Sequence, residues 1–111
     1  MRSTVTICEN RLFRRLYHTG KSVVTPLFVV YLRKNGQNVN RLGITTSKAV
    51  GTAVQRSRCR RVLREAYRQV EPKMKTGYDL ILVARTRTSQ VPMMPVRDRL
   101  YDVLRREGVA E

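Results

Sequence analysis

Between Lys48 and Arg68 the chain carries six arginines, Arg56, Arg58, Arg60, Arg61, Arg64 and Arg68, against a single acid, Glu65. Guanidinium groups at this density repel one another unless something anionic lies across them, and their planar forks suit two-point contact with phosphate. Ser57 adds a hydroxyl donor, and Lys48 places one more cation ahead of the run. A solvated helix face would instead interleave Glu with Lys or Arg at i, i+4 spacing. The chemistry open to these residues is therefore the holding of polyphosphate.

Bond-making chemistry finds no residues. His18 is the only histidine and falls near a helix end. The acids Glu9, Glu65, Glu71, Asp79, Asp98, Asp102, Glu107 and Glu111 show no spacing suited to a two-metal centre. Asp98 and Asp102 do share a helix face, but with Arg99, Arg105 and Arg106 as partners. No Ser-His-Asp or Cys-His set exists, and Cys8 and Cys59 lack metal-ligand spacing. The sequence thus predicts no catalytic residue, no metal site and no cofactor held by the protein alone.

A helix must position the arginines. At roughly 100° per residue, Cys59, Val62, Leu63, Ala66, Tyr67 and Val70 fall on one arc, with Ser57, Arg60, Arg61, Arg64 and Arg68 on the adjoining one. Arg58 lies behind and Arg56 in the first turn. Thr52 followed by Gln55 fits a capping box, which sets the helix start near Ala53, and Gly51 permits the sharp turn before it. The free N–H groups of that first turn add a weak anion site.

Around this helix the pattern gives a first helix at Glu9 to Tyr17, with Leu12, Phe13, Leu16 and Tyr17 on one side and Gly20 as its stop. Lys21 to Arg33 turns β-branched and apolar, with Pro26 expected to bend or interrupt it. Asn35-Gly36, inside the connection Lys34 to Asn38, predicts a hairpin into Val39 to Thr46. Tyr78 to Ala84 is a short apolar run typical of a strand buried on both faces. A last helix is expected over about Val96 to Glu107, with Leu100, Val103 and Leu104 inward and Gly108 beyond it. The expected fold is an α/β (α+β) two-layer sandwich, one domain over residues 1–111, with a small mixed sheet and the order α-β-β-β-α-β-α.

Composition narrows the partner. With 23 Lys+Arg against 8 Asp+Glu, the 111 residues carry a formal net charge of +15, which points to nucleic acid or an anionic membrane. No apolar run nears the roughly 20 residues of a membrane span, and Met1 to Ile7 lacks a signal peptide's apolar stretch. These readings together predict a cytoplasmic protein with no membrane partner and no small-molecule substrate. A ribosomal or other structural-RNA-binding protein would account for the charge and the helix, though not for the aromatic set described next. A DNA reader is weaker, because reading helices mix Asn and Gln with Arg for base edges.

The order of elements and the stretch Arg41 to Glu65, with Gly51, the capped helix start and the Arg-x-Arg-x-(Lys/Arg)-Arg-x-x-Arg spacing, closely resemble the bacterial ribonuclease P protein subunit. Phe13, Tyr17, Gly20 and the strand Asp79 to Arg85 also sit where that family has them. Ser57 stands where the family usually has Asn, Ala49 where it often has a second lysine, and Arg60 replaces its usual Lys. The resemblance implies the protein subunit of a ribonucleoprotein that removes the 5′ leader of precursor tRNA, the RNA holding the catalytic magnesium ions. It implies that Lys48, Arg56, Ser57, Arg58, Arg60, Arg61, Arg64 and Arg68 bind the RNA subunit. It implies further that Phe13, Tyr17 and Tyr31 line a cleft for the single-stranded leader, where aromatic rings accept any base by stacking. A left-handed β-α-β crossover around the basic helix also follows from the resemblance.

Overall fold

The structure is a computed structural model and describes residues 4–7 and 10–111. Its strands are β1 (Thr4–Thr6), β2 (Lys21–Val24), β3 (Phe28–Lys34), β4 (Asn40–Thr45) and β5 (Tyr78–Ala84). Its helices are α1 (Asn10–Thr19), α2 (Ala53–Val70) and α3 (Met93–Arg106). Glu9, expected to open the first helix, and Cys8 lie outside the described residues.

β5 takes the centre of a five-stranded mixed sheet ordered β1-β4-β5-β3-β2. Its run Leu80-Ile81-Leu82 is fully buried, which only a strand flanked on both edges and covered on both faces achieves. β5 pairs antiparallel with β3 and parallel with β4, so α2, which lies between β4 and β5 in sequence, is the helix of a β-α-β crossover between neighbouring parallel strands. One expectation fails here. The Asn35-Gly36 turn, with Gly36 at φ 71°, does reverse the chain between β3 and β4, yet β5 lies between those strands and they form no hairpin.

The hairpin of this sheet is β2–β3, with Val23 opposite Val30. It turns at Thr25–Phe28, where the Thr25 hydroxyl donates to Phe28 O at 2.7 Å and accepts from Phe28 N at 3.0 Å. Pro26 sits within that turn, the interruption its fixed φ and missing donor require. β1 was not expected and precedes the predicted order; it pairs parallel to β4, Thr4 beside Asn40.

Strand alternation divides the apolar side chains into two clusters. Phe28, Val30, Leu32, Leu42, Leu80 and Leu82 face α2 and α3 and build the main core with Cys59, Leu63, Tyr67, Leu100 and Leu104. This is the sheet-and-helix sandwich expected. The opposite parity sends Ile81 and Tyr31 to the other face, where α1 covers them with Leu12, Phe13 and Leu16. α3 begins three residues earlier than the sequence suggests: Pro92 takes the N-cap position with extended backbone, and Pro95 falls in the first turn, where a missing N–H costs nothing.

Candidate nucleic-acid interface

The basic helix begins as its sequence requires. Thr52 Oγ1 accepts from Gln55 N at 3.2 Å while Gln55 Oε1 accepts from Thr52 N at 2.8 Å. Gly51, at φ 147°, lies under the returning Gln55 side chain, and a Cβ there would come within 2.0 Å of Gln55 Oε1. Only glycine tolerates both demands. Further along, every residue of the apolar arc, Cys59, Val62, Leu63, Ala66, Tyr67 and Val70, is buried. Burial pushes the Cys59 thiol up and the Tyr67 phenol up to about 12. The anchoring of that arc leaves the adjoining face turned outward.

The arginines on α2 then sort into three groups. Arg60, Arg61 and Arg64 have no carboxylate partner among the described residues; Arg61 and Arg64 are exposed, and Arg60 Nη2 donates to Ser57 Oγ at 3.2 Å. Ser57 therefore orients Arg60. Arg68 is partly neutralised, since its Nε and Nη2 reach Glu65 at 3.0 and 2.8 Å. Those bonds, with a lesser one from Gln69, hold the Glu65 carboxyl below its ordinary value and raise Arg68. Arg58 points elsewhere: its Nε and Nη2 donate to the main-chain carbonyls of Ser89 and Val91, at 3.2 and 3.1 Å. It ties α2 to the segment leading into α3. Arg56 keeps a buried Nε with no hydrogen-bond partner among the described residues, and Lys48 is exposed in a short 3-10 turn, Lys48–Val50, ahead of the helix.

Across the sheet, register sets Gly43, Ile81 and Tyr31 in one row on the face under α1. Phe13 lies over Gly43, and Tyr17 meets Tyr31 edge to face, with ring centroids 4.8 Å apart at 87°. Phe13 and Tyr31 are half-buried, whereas Tyr17 is 42% exposed. The three expected aromatics are thus brought together. A groove of about 560 Å³ runs beside them, lined by Asn10, Phe13, Arg14, Tyr17 and Thr45. A smaller hollow of about 80 Å³ adjoins the other side of Phe13, between Thr6, Ile7, Leu42, Ile44 and Arg64. Phe13 belongs to both, so the aromatic surface and the arginine face of α2 meet.

Sequence reasoning missed Arg14, Thr45 and Gly43. Arg14 had a signal, because it lies between Phe13 and Tyr17 and so must flank any surface they form. Thr45 and Gly43 had none, since only sheet register puts them there. Among the described residues no three of His, Cys, Asp and Glu gather into a metal-holding group, and no helix is long and apolar enough to cross a membrane. Asp98 pairs with Arg97, and Asp102 with Arg106.

The sequence matches the Ribonuclease P family over residues 1–108. The chain belongs to the ribonuclease P protein family. It is 38% identical over 104 residues to the ribonuclease P protein component of Clostridium botulinum strain Loch Maree, covering 93% of this chain and 94% of that one. The component from Natranaerobius thermophilus is 43% identical over 91 residues, covering 82% and 79%. In three dimensions the fold superposes on the Staphylococcus aureus RNase P protein with a TM-score of 0.82 at 32% identity, covering 96% and 97% of the two chains. For the Thermotoga maritima RNase P protein the TM-score is 0.81 at 31% identity, covering 92% and 96%. Family membership makes the chain the protein component of a tRNA-processing endoribonuclease and implies an RNase P RNA as its partner.

Proposed function

We propose that this protein binds the RNase P RNA through the outward face of α2 and receives the 5′ leader of precursor tRNA in the groove beside α1. The observation that carries this reading is the meeting of two surfaces at Phe13: an arginine face without carboxylates at Arg60, Arg61 and Arg64, and an aromatic groove open to solvent at Tyr17. Phosphate neutralises the first, with Lys48, Arg56 and Ser57 at its head and Arg68 at its far end. Bases stack in the second, worth about 1–3 kcal/mol per base without regard to sequence. Arg58 contributes its charge but holds the α2–α3 junction, so its part in binding is the smallest of the set.

Under this reading the protein supplies no catalytic group, and the magnesium ions that activate water belong to the RNA. The protein orients substrate: a leader laid along α1 passes from Tyr17 across Phe13 toward Arg64, which aligns the scissile segment with whatever RNA the arginine face holds. Its formal charge of +15 also offsets repulsion between RNA strands. A cytoplasmic location accords with that partner, and no observation favours a ribosomal role instead.

Reconstitution tests the whole. Protein purified free of RNA should leave precursor tRNA intact, while addition of a bacterial RNase P RNA should give leader removal at lower magnesium than the RNA needs alone. Cleavage by RNA-free protein, or an unchanged magnesium requirement, would overturn the reading.

A further inference from the structure

The opposite end of the sheet carries a second basic surface. The β3–β4 connection and the loop before β5 face each other across an open groove of about 320 Å³, with Lys34 and Lys75 on its two sides and Gln37, Thr76 and Tyr78 between. Both lysines are exposed, and neither has a carboxylate within ion-pair distance among the described residues. The two acids four residues from Lys75 are both occupied: Asp79 accepts from Arg41 Nε at 2.7 Å and Nη2 at 2.6 Å and from Asn35 Nδ2 at 2.9 Å, and Glu71 accepts from Thr4 Oγ1.

These loops are also held in place by two side-chain amides, those of Asn40 and Asn35. Asn40, 1% exposed, donates to Lys75 O at 3.0 Å and accepts from Tyr78 N at 3.0 Å. Lys75 N donates to Val109 O at 2.8 Å, and Asn35 N to Gly77 O at 2.8 Å, joining one loop to the other. Asn35 Oδ1 accepts from Gln37 N at 2.8 Å and its Nδ2 donates to Val39 O at 3.0 Å. Connecting loops are ordinarily the mobile part of a domain. Here a buried amide and a half-buried one fix the backbone on both sides of two unpaired cations, which is the preorganisation that binding of an anion rewards.

We infer that this groove holds a phosphodiester segment of RNA, a contact separate from both surfaces of the proposed function and resting on that reading of the protein as RNA-binding. An open trough with one cation on each bank and hydroxyl and amide groups between them fits a polyanionic strand better than an isolated phosphate, which would be enclosed. From Tyr78 to Val83, the strand position beside Thr45 of the leader groove, the distance along β5 is about 16 Å at roughly 3.3 Å per residue. RNA held here and RNA held at α1 would therefore grip the protein from both ends of its central strand.

The test compares three double variants of the full-length protein: Lys34→Ala with Lys75→Ala, Arg61→Ala with Arg64→Ala, and a charge-matched control, Arg87→Ala with Arg99→Ala. Each is titrated across monovalent salt against RNase P RNA and, separately, against leader-bearing precursor tRNA. The lysine pair should weaken one of the two complexes and lower the slope of log affinity against log salt by about two, about one per phosphate contact. Loss with RNase P RNA assigns the groove to the RNA subunit, and loss with precursor tRNA assigns it to substrate. Unchanged binding in both arms, or a loss equal to that of the control, overturns the inference. An arginine pair that still weakens binding in that case leaves the proposed function standing, whereas an inert arginine pair brings down the proposed function itself.

Discussion

The Phe13 ring rests on the backbone of Gly43: a Cβ at position 43 would lie 2.6 Å from Phe13 Cζ and 2.7 Å from Cε1. The aromatic floor of the proposed leader groove therefore depends on a residue that has no side chain to offer. Gly43→Ala should lift the ring off the sheet, at an overpacking cost of about 1–3 kcal/mol. Discrimination between leader-bearing and mature tRNA should fall while affinity for RNase P RNA stays within a few-fold of the parent. Measured side by side, unchanged discrimination would show that the position of Phe13 is irrelevant to substrate.

Tyr17 and Tyr31 support one another edge to face, and only Tyr17 is substantially open to solvent. Tyr17→Ala should weaken leader-bearing precursor tRNA by about 1–3 kcal/mol if a base stacks there, with little change in melting temperature. Tyr31→Ala should do the same and also cost some stability, because its ring packs beside Ile81. Mutants that melt far below the parent yet discriminate leaders normally would mark both tyrosines as packing residues.

Arg58 and Arg61 separate stability from binding. Arg58→Ala removes two charge-assisted bonds to Ser89 and Val91, which in this exposed setting should cost about 1 kcal/mol. Arg61→Ala should leave the melt unchanged and lower the salt slope for RNase P RNA by about one. Calorimetry and salt titration on the two variants check the pair together; equal melts and equal slopes would erase the distinction.

Tyr67 gives the fold an alkaline limit. Its phenol, buried at the heart of α2 and bonded to Thr4, has its pKa pushed from the ordinary 10 up to about 12. The folded state thus favours the neutral form. That stability is fully present below pH 10 and is lost as pH rises from 10 to about 12, about 2–3 kcal/mol in all. Tyr67→Phe should flatten this part of the pH–stability curve, and an identical curve for both proteins would contradict it.

Much of this was legible from residue order. The capping box, the buried arc of α2 and the doubly covered β5 each rest on interactions within one element or on its burial pattern, and such signals survive without tertiary information. The hairpin between β3 and β4 misled because Asn35-Gly36 reports a chain reversal, not which strands become neighbours. A strand buried on both faces needs two partners, and that demand inserts β5 between them. β1 escaped notice because Thr4, Val5 and Thr6 are too few to show a period. At the interface, residue type found the arginines but not their employment. That Arg58 serves the main chain while Arg61 remains open depends on where the segment before α3 passes.

The central place of β5 also has a consequence in time. A chain emerging from the ribosome presents β2, β3, β4 and the whole arginine helix before residue 78 exists, so the halves of the sheet have nothing to join them. Until the last third is made, the arginines sit on an unsupported amphipathic segment in a cell full of ribosomal RNA. Such long-range closure is slow and leaves intermediates exposed. A message truncated between Val70 and Tyr78 would yield a cationic fragment that carries the whole arginine helix but lacks the strand that joins the two halves of the sheet.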